Sequence, residues 1–498
     1  MRTDDPKFPT FHLGIVLAGA VSAGAYSAGV MDYLLWALEE WEKRKEANRR
    51  ILRACNWNWT KAKYYKGPNG ASFDEAVPMH HVVIEVLAGA SAGGMTAAIA
   101  FSKLIDPENN QYYADCQTET DKKDLKLFDP WVNLFEEDNQ DTLQQLLDPS
   151  DLEFMRIQQH PETGQYEVKG GVRSLLNSSF IENIANKKIR LSNHYFNLAK
   201  QDKHNEIKAS WKKYISEDLR ILLTVCSLRG VPVGVPFKTK WKKEEAQKDP
   251  TDNVEIAHKM FFHKGHAHFK YTPIDQNFKL ENDKEEIPVG PNTTELWVDV
   301  IPLKDFKEAT ATRNDRINFL EAAIATGSFP LAFKPRTLNV TNAFIERQIM
   351  QRLDIPKDLR QSLLPGNKMD IFQLTAVDGG TVNNEPIEEV EAMLQLRIKA
   401  KGLKEKHTSR GKEYVQQQLT DLKFSPPTAE DNPLEVQNYG MILIDPFPNF
   451  TDETLPLESS YLPTVPTIAS RLAGALRAQA MVKEKDVVQS FSSENDMR

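Results

Sequence analysis

The stretch VVIEVLAGASAGGMTAAIAF, residues 82 to 101, changes character twice. It opens on a short apolar run, Val82, Val83, Ile84, Val86 and Leu87, whose length and β-branched content predict a buried strand. Gly89 to Gly94 then make a turn of small residues around Ser91, and Met95 to Phe101 continue without a helix breaker. Strand, tight turn and helix, with serine at the apex, is the setting of a G-x-S-x-G nucleophile elbow. Gly89 and Gly93 flank the serine because so sharp a turn crowds its neighbours. The following helix aims its first free N–H groups at the serine, where they stabilise developing negative charge. A helix entered through small residues only to pack closely on its own strand would leave the same pattern. The rest of the chain has to separate the two readings.

The chain's 498 residues can bury a large core; 40% hydrophobic and 27% charged residues describe a globular protein. Its formal charge of −8 argues against a nucleic-acid partner, whose binding face would be basic. Cys55, Cys116 and Cys226 form neither a disulfide framework nor a metal-site spacing, which favours a reducing compartment.

Upstream, Leu13 to Leu38 is apolar and rich in small residues. The preceding MRTDDPKF balances Arg2 and Lys7 with Asp4 and Asp5, so it lacks the positive flank of a signal peptide. Gly14, Gly19, Gly24, Gly29, Ser22 and Ser27 make it a poor membrane span. The spacing predicts a strand over Leu13 to Leu17 and a helix from about Ala25 to Glu40. That helix carries an apolar face of Tyr26, Val30, Leu34, Leu38 and Trp41. The connecting loop, Ala18-Gly19-Ala20-Val21-Ser22-Ala23-Gly24, has neither the Lys-Ser/Thr of a P-loop nor G-x-G-x-x-G. It reads as a donor loop for an oxyanion or as a tight strand-to-helix connection.

From Lys103 to about Glu217 the sequence reads as an insertion with solvated stretches, and Arg220 to Val225 as a buried strand. The basic cluster around Trp241 (Lys238 to Lys248) suits a lipid surface, but Glu244, Glu245 and Asp249 favour a plain exposed loop. His258, His263, His266 and His268 alternate along a strand-like segment and read as structural or surface histidines rather than metal ligands.

Leu374 to Pro386, LTAVDGGTVNNEP, delivers Asp378 from an apolar strand into Gly379 and Gly380. Asp-Gly between apolar residues is a hairpin signal, and it is equally a place where a carboxylate can approach a serine as its base. A histidine-dependent triad would have to use His407, which sits in the charged segment KGLKEKHTSRGKE.

Taken together, four stretches in order resemble the patatin-like phospholipases, a family of lipid acyl hydrolases. They are the strand and loop at Leu13 to Gly29, Gly89-Ala90-Ser91-Ala92-Gly93, Glu321 to Pro335 (EAAIATGSFPLAFKP), and Asp378-Gly379-Gly380 with Val382-Asn383-Asn384 and Pro386. The resemblance implies an α/β/α sandwich around a mainly parallel central sheet, with large insertions. It also implies a Ser-Asp dyad in which Ser91 attacks an ester carbonyl and Asp378 acts as general base. Backbone N–H groups at Gly19, Ala20, Val21 and Ala92 would hold the oxyanion, and Gly89, Gly93, Gly379 and Gly380 are the motif glycines.

The chain departs from the family in its loop. Ala20 and Val21 stand where glycines are usual, and Ala23 where a basic residue is. That removes a positive charge suited to an anionic head group.

The expected organisation is one catalytic domain over about 8–450, with insertions at about 103–217 and 238–292, and a helical tail at 451–498. The expected function is hydrolysis of phospholipid or other acyl-lipid esters at a membrane surface by a cytoplasmic or peripheral protein. It needs no cofactor, metal or nucleic acid, and the sequence leaves its oligomeric state open. A non-catalytic lipid-binding or scaffolding protein on the same fold is the alternative.

Overall fold

The computed structural model describes residues 8, 10–20, 24–106, 127, 129–132, 142–151, 156–159, 166–169, 171–189, 192–201, 203–236, 256–271, 284–287, 296–299, 301–303, 315–346, 363, 371–395 and 439–446. Val21, Ala23, Cys116, Lys238 to Lys248, His407 and the 451–498 tail lie outside them.

An eight-stranded sheet organises the chain. Its strands are β1 (Thr10–Leu17), β2 (His81–Gly89), β3 (Ile215–Pro236), β4 (Ile256–Tyr271), β5 (Ile301–Leu303), β6 (Arg336–Thr341), β7 (Ile371–Asp378) and β8 (Tyr439–Ile444). The path β6-β7-β3-β2-β1-β8 has a parallel heart, β3-β2-β1-β8, to which β7 and β6 add antiparallel. β4 pairs antiparallel with the other edge of β3, and β5 extends β4.

Both faces are covered, as a parallel sheet requires. Strand alternation sends Leu13, Ile15 and Leu17 of β1 to one face with Ile84 and Leu87 of β2 and Ile221 and Leu223 of β3. Against them pack α1 (Gly24–Ala54), α2 (Ser91–Ile105) and α6 (Asp315–Thr326), through residues such as Met31, Leu35, Phe101 and Phe319. The opposite face presents Val16, Val86, Ala88 and Leu222 to Ile387, Val390, Met393 and Leu394 of α7 (residues 387–395). The architecture is an α/β/α sandwich around a mainly parallel sheet.

Several elements differ from the sequence expectation. Helix α1 runs on to Ala54 rather than ending near Glu40. Its charged second half lacks a continuous apolar stripe, but Ile51 and Leu52 pack into a separate core cluster with Ala62 and Met79. Lys45 and Asn48 bond the His80 and Asp74 carbonyls, and the pairs Lys43–Glu40 and Arg49–Glu46 add helical i,i+3 support. The buried face is also rotated. Ala28, Met31, Leu35 and Leu38 are buried, Val30, Leu34 and Trp41 are half-buried, and Tyr26 is 55% exposed.

The 103–217 segment is not wholly peripheral. Helices α3 (Ser179–Lys188), α4 (Asn193–Lys200) and α5 (His204–Ser210) place Ile181, Ala185, Tyr195, Leu198 and Ile207 in the main core. Strand β4, inside the expected 238–292 insertion, is likewise part of the central sheet. Both read as insertions because the resemblance needs the long stretch between Ser91 and Asp378 to be filled outside the family core. Among the described residues no helix is long and apolar enough to cross a membrane.

The turn after β2 is fixed by contact with β1. The Ala90 amide donates to the Leu17 carbonyl at 3.2 Å. Gly93 lies so close to the Leu17 and Ala18 carbonyl oxygens that a Cβ there would clash with backbone. Gly29, by contrast, faces open space, with nothing within 4 Å of an added Cβ. Gly93→Ala is therefore expected to destabilise the protein by about 3 kcal/mol in urea denaturation, since rigid backbone cannot yield to overpacking. Gly29→Ala should be neutral or stabilise by up to about 1 kcal/mol. Equal stability of the Gly93 variant and wild type would contradict this packing.

Candidate active site

Ser91 is the first residue of α2 and sits at φ 52°, a left-handed conformation unusual for a residue with a side chain. The position is strained, and the surrounding bonds hold it. The Ser91 amide donates to Thr326 Oγ1 at 3.1 Å, and the Gly94 amide returns to the Ala90 carbonyl at 3.0 Å. In the first turn the amide of Ala92 has no intrahelical acceptor and is a natural anion donor.

Asp378 arrives from the opposite direction along one strand edge. Strand β2 runs parallel to β3 and ends with Gly89 opposite Leu223. Strand β7 runs antiparallel on the same edge and ends with Asp378 opposite Val225. That it is the same edge follows from β4, which occupies the other side of β3 through both stretches. Only Thr224 separates the two strand ends, so the elbow and the acid meet head to head.

Gly380 measures the approach: a Cβ built there would lie 3.1 Å from Asp378 Oδ1 and 3.7 Å from Ser91 Cβ. Gly379 backs onto Thr224, with no room for a side chain. Asp378 is 2% exposed and Ser91 9%. The Asp378 turn is a short 3-10 segment, Gly379–Thr381, rather than a hairpin. Asp378 Oδ1 accepts from the Gly380 amide at 2.7 Å, and Thr381 Oγ1 donates to the Asp378 carbonyl at 2.8 Å.

The end of α6 ties both residues together. Thr326 accepts from the Ser91 amide, and the Ser328 carbonyl accepts from the Asp378 amide at 2.9 Å. Neither residue was singled out from sequence, although both lie within the quoted EAAIATGSFPLAFKP.

The loop after β1 needs a correction. The Gly19 amide donates to the Asn384 carbonyl at 3.2 Å, so it is not a spare oxyanion donor. Gly19 serves close approach instead: a Cβ there would stand 3.1 Å from Ser91 Cβ and would collide with Asn384 Oδ1. Ala20 is buried, and its amide donates to no group among the described residues. Ala20 and Ala92 are thus the expected donors that remain, Val21 lying outside the described residues.

Below the acid, an ion pair holds the 379–386 turn to β4. Glu389 Oε1 meets Lys264 Nζ at 3.0 Å and accepts from Asn383 Nδ2 at 3.1 Å. Sequence carried no signal of this pair, because its partners come from separate elements. Of the histidines, His263 Nδ1 bonds the Ser227 carbonyl at 2.6 Å and His268 is buried on β4. Among the described residues no group of three His, Cys, Asp or Glu is arranged to hold a metal ion.

No family model matches this chain, and no solved structure matches it. A curated relative is the uncharacterized protein y4iI of Sinorhizobium fredii, 24% identical over 500 residues. The match covers 97% of this chain and 55% of that protein, so the chain spans little more than half of its relative.

Burial pushes the Glu389 carboxyl up, but Lys264 and His266 outweigh it and hold its pKa below the ordinary value. A carboxylate depressed on folding stabilises above its unfolded pKa and loses that stabilisation as pH falls through the folded one. Glu389→Gln is therefore expected to cost about 2 kcal/mol at neutral pH. The gap to wild type should begin to close below about pH 4.3, the unfolded value. A gap independent of pH would contradict the ion-pair role.

Proposed function

We propose that this protein is a serine acyl hydrolase that cleaves carboxylic esters of lipids with Ser91 and Asp378. The observation that carries the reading is the meeting of β2 and β7 on one edge of β3, with a strained serine and a buried carboxylate at their ends. The resemblance to patatin-like phospholipases supports it.

In this mechanism Ser91 Oγ attacks the ester carbonyl while Asp378 takes its proton. The Ala20 and Ala92 amides face the oxyanion, and collapse returns the proton to the departing alcohol. Water then gives its proton to Asp378 as it attacks the acyl carbonyl, and collapse breaks the bond to Ser91 Oγ, which takes that proton back as the fatty acid leaves. The histidine-dependent reading rests on His407, outside the described residues.

A second reading, a lipid-binding or scaffolding protein on the same fold, is favoured by one observation, the engagement of the Gly19 amide by Asn384. Turnover separates the two. Ser91→Ala and Asp378→Asn are each expected to lower p-nitrophenyl butyrate hydrolysis by about 100-fold or more, with melting temperatures near wild type. His407→Ala should stay within a few fold. An inactive, well-folded wild type would favour the scaffold, and an inactive His407 variant beside an active Asp378→Asn would favour the triad.

With a formal charge of −8 and no basic residue at Ala23, neutral or short-chain esters should be hydrolysed at least as readily as anionic phospholipids. Vesicle binding should change little between low and high salt. A strict need for anionic vesicles, abolished by salt, would contradict this.

A further inference from the structure

Asn384 is buried to 2% exposure, yet its Nδ2 has no hydrogen-bond partner among the described residues. Buried side-chain amides are ordinarily satisfied, so an orphan donor in a packed turn calls for a partner. The side chain sits beside Ser91. Its Oδ1 lies against Gly19 and is 3.0 Å from where a Gly380 Cβ would stand. The same two glycines have Ser91 Cβ as their other neighbour, at 3.1 and 3.7 Å from the corresponding Cβ positions. A half-turn about the last side-chain torsion exchanges Oδ1 and Nδ2, and that torsion is soft and two-fold.

The backbone of the same residue is what occupies Gly19. The Asn384 carbonyl takes the Gly19 amide, removing a donor from the oxyanion loop, and the half-turn would bring the unused Asn384 N–H group to where Oδ1 stands beside Gly19 and Ser91. The geometry points to Asn384 as an oxyanion donor, its side-chain amide standing in for the engaged Gly19 amide when the ester carbonyl becomes tetrahedral. This rests on the Ser91–Asp378 hydrolase reading and adds a side-chain donor to it. The donor acts on charge that develops during reaction, so it affects turnover more than ground-state binding.

Asn384→Leu and Asn384→Ala test it in the full chain, with p-nitrophenyl butyrate as substrate and butylboronic acid as a tetrahedral mimic. Both variants should lose about 100-fold or more in kcat with KM within a few fold, as for other oxyanion donors. Boronic acid affinity should fall in step. Removing an unpartnered buried amide should also leave the melting temperature of the leucine variant unchanged or raised.

A folded variant with kcat within threefold of wild type would overturn the proposal. So would a loss confined to KM, or unfolding of both variants, which would make Asn384 structural. Ser91→Ala keeps the two levels apart. If it is inert while the Asn384 variants are fully active, only the donor assignment fails; if it is active, the hydrolase reading fails and takes the donor with it.

Discussion

One edge of β3 is the constraint on which the site depends. It accepts β2 as far as Leu223 and β7 from Val225 onward, so a parallel and an antiparallel neighbour terminate against each other. Thr224 is the gap. Neither strand can lengthen by even a few residues without displacing the other. The turn after β7 is therefore compressed, with Gly379 against Thr224 and Gly380 between Asp378 and Ser91, while Gly89 and Gly93 let the elbow close on itself and on β1. A strained Ser91 and a buried Asp378 follow from that geometry, and a site on rigid strand ends is held more closely than one on free loops.

Hydrogen bonds from the end of α6 secure this meeting point. The Thr326 hydroxyl and the Ser328 carbonyl take the amides of Ser91 and Asp378 respectively. Both bonds are buried, and leaving either amide unsatisfied would cost about 1–3 kcal/mol. The 379–386 turn is anchored separately through Glu389 to Lys264 on β4. Strands β3 and β4 thus serve as a platform: one brings Ser91 and Asp378 together, and the other holds the turn that follows Asp378.

Much of this was legible in sequence because it is local. Val82 to Leu87 is apolar for the length of a buried strand, and Gly89 to Gly94 admits few alternatives to a tight turn. Asp378 followed by two glycines marks a strand end, although the choice between hairpin and site required knowing what stands opposite. Contacts between distant segments were not legible. Thr326 is 235 residues from Ser91, and nothing in its spacing announces the bond. The engagement of Gly19 by Asn384 was also hidden, because a glycine-containing loop reads as a set of free amides until its neighbour is placed. The second half of α1 was missed for another reason: its charges read as surface, whereas Ile51 and Leu52 pack into a separate core cluster and Lys45 and Asn48 bond carbonyls of the segment before β2.

The central claim is that Ser91 is a nucleophile made reactive by Asp378. Peptide mass spectrometry after treatment with a fluorophosphonate tests it most directly. The account predicts one adduct, on the peptide carrying Ser91, at full occupancy in wild type and strongly slowed in Asp378→Asn. An adduct on another serine, or labelling of Ser91 at the same rate without the carboxylate, would contradict it.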